Sequence, residues 1–223
     1  EVYMIGAYIG FILTTKMWIP YFLTLVIVLF IMGLFGLLID KLVFLPLRKS
    51  SRINTTLGAI GLSIFLLNIS ILVFSSRPRA FIVSYLNASI NMGPVILTIQ
   101  RLVVFAVSLL LIVSLSIFMK KSIYGKAMLA ISQDTVAASL MGIDVNKMSS
   151  MAFIIGSALA GAAGVLVSPV FSLYPQMSAI VVAKAFAVVI LGGMGYIEGA
   201  IAAGFILGLA ESLTAAYISS AYK

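Results

Sequence analysis

The sequence predicts an all-α, polytopic transmembrane helical bundle of about six to seven spans, one domain over residues 1–223, and three observations carry that prediction. First, 63% of the 223 residues are hydrophobic and only 9% charged, against roughly 45–50% and 25% in a soluble domain. A mean hydropathy of +1.24 means more apolar surface than a soluble fold can hide. Second, the apolar residues fall in runs near the roughly 20 residues that cross a hydrocarbon core, without the strict alternation of a barrel. Third, the basic residues cluster between those runs, so the net charge of +8 orients a membrane protein rather than holding nucleic acid. The chain has no Cys and no His. Disulfides, thiolate and imidazole chemistry, and Cys- or His-ligated metals are therefore excluded. The few carboxylates are scattered, so no catalytic constellation and no metal site is expected.

The elements follow in order. A short apolar run from Val2 precedes Lys16. It is too short for a comfortable span and lacks the basic start of a signal peptide, so it reads as the later part of a helix. Gly6 and Gly10 form a small-xxx-small pair for close helix approach. Lys16, Trp18 and Pro20 read as an interface that starts the next helix. Tyr21 to Ile39 is a second span, predicted to end at Asp40-Lys41, with Pro46, Arg48, Lys49 and Arg52 in a basic loop. A third span runs from about Asn54 to Phe74. Residues 75–96, with Arg77-Pro78-Arg79, Asn87, Asn91 and Gly93-Pro94, favour turns with short extended pieces. Arg101 leads a fourth span to about Met119, which Lys120 and Lys121 close.

Charge alternation assigns sides. Lys41, Arg48, Lys49 and Arg52 mark one loop; Lys120, Lys121, Lys126 and Lys147 mark another two spans later. Between them lie only Arg77, Arg79 and Arg101. The first two loops are therefore predicted to be cytoplasmic. In the second, Gly125 to Ile131 can form two turns of helix. Ser132 or Asp134 can cap a second short helix, Thr135 to Met141, which Gly142 can close in the left-handed conformation. Asp144 can cap the helix that follows. Met128, Ile131, Val136, Leu140 and Met141 give these short helices apolar faces. Such helices either float in the membrane interface or dock into a groove on a soluble partner, and the residues leave both open.

A fifth span, Lys147 to about Val167, carries Gly156, Ala160 and Gly164 on one face and Ser157 and Gly161 beside it, a pattern for close helix packing. Gly204 and Gly208 repeat it in the last span. Gly192-Gly193-Met194-Gly195 reads as a tight turn rather than a phosphate nest. Lys184 and Glu211 lie inside the apolar segments on either side of that turn. At 1.5 Å per residue they stand about 12 and about 18 Å from it, one helical turn apart. An intramembrane charge is costly alone, so the two are expected to form an ion pair, structural or beside the translocation path. Glu198, in the turn, is expected to be solvated.

Ala137-Ala138, three residues, then Gly142 has the spacing of the E-A-A-x-x-x-G core in the cytoplasmic loop of bacterial ABC permeases. Tyr124-Gly125-Lys126-Ala127, Gln133-Asp134, Ala137 to Ile143, Phe153 and Ala158 to Gly164 extend the match. So do Lys184-Ala185-Phe186-Ala187, Gly192 to Gly195 with Gly199, Gly204 to Glu211, Pro46-Leu47-Arg48 and Glu1 to Tyr8. Together they resemble the branched-chain amino acid permeases of the LivH type over nearly the whole chain. Val136 stands where the general motif has Glu, and no Ile-x-Leu-Pro follows.

The resemblance implies a permease subunit of an ATP-driven importer, multi-pass in the cell membrane of a prokaryote, with further spans flanking this stretch. Residues 120–147 would be the cytoplasmic coupling loop, carried by Gly125, Lys126, Ala127, Asp134, Ala137, Ala138, Gly142, Ile143 and Asp144. It also implies a second permease subunit, two ATP-binding subunits, an extracytoplasmic binding protein and an amino-acid substrate, related permeases taking urea and short amides as well. The chain has no G-x-x-x-x-G-K-[ST], so ATP and Mg would be bound by the separate ATPase, with no cofactor on this chain. A secondary carrier or channel driven by an ion gradient is the alternative.

Overall fold

The computed structural model describes residues 1–48, 50–75, 77–81, 89–92 and 95–217. Its body is helical. Helix α1 spans Val2–Thr15 and α2 spans Tyr21–Ile39. A π-helical turn, Asp40–Phe44, and α3, Leu45–Leu47, follow without a break. Then come α4 (Arg52–Phe74), α5 (Ile99–Lys121), α6 (Ile123–Gln133), α7 (Thr135–Leu140), α8 (Val145–Val167), α9 (Met177–Gly192) and α10 (Ile197–Tyr217). Among the described residues, five helices are long and apolar enough to cross a membrane, and α1 and α9 are shorter apolar helices. The polytopic bundle is thus the architecture observed. The 75–96 segment adds one antiparallel hairpin, Ser89–Met92 with Val95–Thr98, in register Ser89↔Thr98 to Met92↔Val95. Lys49, Asn87 and Gly93-Pro94 lie outside the described residues.

One expectation is corrected. The stretch from Asp40 is not a loop: the helix runs on, giving one apolar rod from Tyr21 to Leu47. Asp40 does not break it because its carboxylate is fully buried and paired with Arg48, just past the end of the rod. Pro46 lacks an N–H, and its ring crowds the carbonyl four residues back. The wide turn, in which Leu45 N–H reaches Asp40 O, accommodates that just upstream of the proline.

The core lies where α8 crosses α1 and α2. Met4, Tyr8, Tyr21, Val28, Met32, Val165 and Leu166 are buried there. Glycines set the spacing. A Cβ on Gly6 would overlap the Gly161 backbone, one on Gly164 the Tyr3 carbonyl, and one on Gly36 the Ser157 side chain. Tyr21 ties the seam by donating its hydroxyl to Val165 O at 3.1 Å. Tyr8 stacks on Phe74 with ring centroids 4.1 Å apart, bringing the end of α4 to α1.

Two sets of connections define the two ends. At one, Arg79 and Leu173 exchange backbone hydrogen bonds of 2.9 Å each, joining the 75–98 segment to the turn between α8 and α9. At the other, Arg48 reaches Asn146 and Lys120 reaches Glu198. The α2–α4 connection, the 120–147 loop and the α9–α10 turn therefore share one end.

Candidate functional site

The 120–147 segment is built from local signals. Ser122 caps α6 by accepting from Tyr124 N–H at 3.2 Å. Gly125 lets α6 fold back on α5: a Cβ there would lie 2.5 Å from Met119 Cα. Lys126 is exposed and Ala127 half-buried. Asp134 ends α6 and caps α7, its Oδ1 accepting from Val136 N–H at 2.8 Å and Ala137 N–H at 3.0 Å. Ser132 lies instead inside α6, donating to Leu129 O. Gly142 closes α7 at φ +82. Its N–H reaches Ser139 O at 3.0 Å, and Ile143 N–H reaches Ala138 O at 3.1 Å, the paired bonds that satisfy a helix's last carbonyls. Asp144 then caps α8 through Lys147 N–H at 3.1 Å. That bond and the nearby Lys147 ammonium hold its carboxyl below the ordinary carboxylate range.

The result is a short helix fixed at both ends with its outer face bare. Within α7 Ala138 alone is buried, against the chain itself. Val136, Leu140 and Met141 are 69%, 82% and 83% exposed. Three large apolar side chains close together on one exposed face are costly in water, and either the membrane interface or a groove on a partner would cover them. A cleft between α6 and the α9–α10 turn, lined by Met128, Leu129, Ser132, Met194, Gly195 and Tyr196, continues this end.

The residues expected to pack helices divide into two sets. Gly161 and Gly164 are buried in the seam with α1 and α2, where Gly161 faces Met32. Gly156, Gly204 and Gly208 find no packing partner within this chain: among the described residues, no heavy atom lies within 4 Å of a Cβ built on any of them. The cause is the direction from which α1 and α2 approach α8. They cover the Ser157–Gly161–Gly164 side and leave Gly156 and Ala160 on an open groove, with Val2, Ser149, Ala152 and Phe153.

The α9–α10 hairpin brings Lys184 and Glu211 together, Nζ to Oε2 at 2.8 Å. The turn is tight enough for backbone contact: a Cβ on Gly199 would overlap the Gly192 carbonyl. Glu198 is exposed, as a solvated residue would be, and it also meets Lys120 at 2.7 Å.

Sequence reasoning missed Asp40. Its carboxylate, fully buried, accepts from the Arg48 guanidinium on one oxygen and from the Ser150 hydroxyl on the other. Arg48 also donates to Asn146 O at 3.0 Å and to Asn146 Oδ1 at 3.3 Å. The only signal in the sequence was an acidic residue at the end of an apolar run, which looks the same as an ordinary interfacial charge.

The family model described as branched-chain amino acid transport system / permease component matches residues 1–223. The chain is 34% identical to the high-affinity branched-chain amino acid transport system permease protein LivH of Salmonella typhimurium over 236 residues. That alignment covers all of this chain and 77% of the relative. LivH of Escherichia coli K12 is 35% identical over 238 residues, with the same coverage of both chains. The corresponding permease protein BraD of Pseudomonas aeruginosa is 32% identical over 239 residues, again at 100% and 77% coverage. No solved structure matches the chain.

Proposed function

Because the chain belongs to the branched-chain amino acid ABC permeases, of LivH type, we propose that it is the membrane-spanning subunit of an ATP-driven importer of branched-chain or similar amino acids, in a prokaryotic cell membrane. It would form the translocation path with a second permease subunit and receive substrate from an extracytoplasmic binding protein. It performs no chemistry of its own; ATP and its Mg belong to two cytoplasmic ATPase subunits.

The observation that carries the coupling role is the bare apolar face of α7, with Val136, Leu140 and Met141 exposed on a helix capped at both ends. An amphipathic helix that lays such a face in a groove on a soluble partner is a recurrent recognition mode. Rigid capping means that a push on α7 is passed on rather than absorbed. The chain runs from Gly142 through Asp144 directly into α8, so closure of the ATPases would move α8 as a rigid element biased by nucleotide. The cytoplasmic loop is then residues 120–147. Within it Gly125, Lys126 and Ala127 shape the approach, Asp134, Ala137 and Ala138 form and seat the helix, and Gly142, Ile143 and Asp144 carry it into α8.

The test is retention of the ATPase subunits by the purified permease complex after Val136→Asp with Leu140→Asp. Losing a central interface anchor at about 2 kcal/mol should weaken retention by about 30-fold, and losing both by up to about 900-fold if the two add. Retention equal to the parent's would refute docking through α7, and transport that continues without ATP would favour the ion-gradient carrier.

A further inference from the structure

Asp40 is a carboxylate with no exposed side-chain surface, in a wide helical turn of a rod whose one other charged residue is the exposed Lys41. Stripping such a group of water costs several kcal/mol unless the partners around it are close and complete. Here they are: Arg48 on one oxygen and Ser150 on the other. The partners are not local to one helix. Arg48 lies just past α3, whereas Ser150 belongs to α8, 110 residues on in sequence. The Arg48 fork continues to the backbone and side chain of Asn146, whose carbonyl, 3.0 Å from Ser150 Oγ, competes with Asp40 for that hydroxyl's single proton. Asn146 follows the Asp144 cap by two residues and Gly142 by four. The network therefore grips α8 at its first turn, immediately where the exposed α7 segment feeds into it.

We propose that Asp40 and Arg48 are positioning residues for transport: an ionic clasp that fixes the mouth of α8 to the end of α2 and transmits displacement of α7 to the rod from Tyr21 to Leu47. The proposal rests on the reading of 120–147 as the coupling loop. An ion pair suits this task better than apolar packing. A forked guanidinium and a carboxylate fix direction as well as distance, whereas apolar side chains slide. The wide turn adds to the argument, because a single π turn within a long helix is frequently placed at a functional position.

The discriminating variant is Asp40→Leu with Arg48→Met in the full complex of permeases, ATPases and binding protein. Exchanging a buried ion pair for apolar side chains of similar volume is often neutral or favourable for folding, so a clasp that served only stability would be replaced without loss. The readout is ATP hydrolysed per substrate transported. We expect a recovered complex with ATPases retained and that ratio raised about tenfold, within the roughly 5- to 150-fold span of inter-site couplings. A ratio equal to the parent's overturns the proposal. If the double variant fails to assemble, Ser150→Ala decides. It leaves the ion pair and the Arg48–Asn146 bonds in place and removes only the α8 hydroxyl from which Asp40 accepts, so the ratio should rise less than in the double variant, and an unchanged ratio would overturn the proposal. The two layers separate cleanly. Loss of ATPase retention in the α7 variants together with normal stoichiometry in the clasp variants would defeat the clasp alone. Unaltered retention in the α7 variants would defeat the coupling reading beneath it.

Discussion

Substitutions at Gly142 isolate the shape of the loop's end from every other contact. The residue sits at φ +82, and among the described residues no heavy atom lies within 4 Å of a Cβ built there. Gly142→Ala therefore places a methyl group in open space, and its cost is the left-handed backbone alone, about 1–2 kcal/mol. Asn adopts that region more readily than other side chains, so Gly142→Asn should cost less than Ala. Gly142→Pro fixes φ near −65° and deletes the N–H that bonds Ser139 O. Because Pro cannot reach φ +82 at all, its cost is about 3 kcal/mol or more. These energies lower the population of the closed α7 end by about 5- to 30-fold in Ala and by about 150-fold or more in Pro. The assay is ATP hydrolysed per substrate transported, with recovery of the complex measured alongside. The ratio should rise in the order Gly, Asn, Ala, Pro, while the complex stays assembled. Equal ratios for Gly, Ala and Pro would refute the role of a rigidly closed α7, and equal ratios for Asn and Ala would refute the backbone explanation.

Two further predictions concern α9 and α10. Gly199→Ala drives a methyl into the Gly192 carbonyl and should cost about 1–3 kcal/mol or more through forced separation of the helices. Gly208→Ala meets open space and should stay within about 0.5 kcal/mol of the parent; matching unfolding midpoints in detergent for the two variants would contradict the packing described. Lys184→Glu or Glu211→Lys alone sets like charges together and should cost about 3 kcal/mol, the lower end for a broken buried pair, since the side chains are 41% and 33% exposed. The double swap should recover most of that loss, and a double variant no more stable than either single would show that the pair contributes nothing.

What the sequence disclosed depended on how far away each residue's partner lies. The caps of α7 and α8 were legible because Asp134, Gly142 and Asp144 act on backbone groups within a few residues of themselves, and residue type alone reports that need. Lys184 and Glu211 were legible for a related reason. A short turn leaves a hairpin few registers, so two charges inside apolar runs have little choice of partner. Asp40 was not, because its burial is decided by Ser150 and Asn146 on a helix that sequence alone does not place beside it. The glycines of α8 show the same limit. Gly156 and Gly161 carry equal small-residue signals, yet only Gly161 meets a neighbour. The selection is made by Gly6 and Met32, on two other helices.

These contacts also define which parts of the chain can move together. Along α1, α2 and α8 the closest approaches are backbone to backbone or backbone to a single side chain, at Gly6, Gly36 and Gly164. Such a seam has no layer of long side chains to deform, and packed interiors compress little. A displacement delivered to the first turn of α8 is therefore shared by α1 and α2. The clasp at Asp40 holds that end of the trio, and Tyr21 on Val165 holds the other. Helices α4 and α5, by contrast, bury little of their apolar length within the chain. The α9–α10 turn is joined to α5 by the exposed Lys120–Glu198 pair, and an exposed pair is worth only about 0–1 kcal/mol. Motion entering at α7 is thus carried stiffly into the trio, and it reaches the start of α9 through Met177, which is buried in the same core.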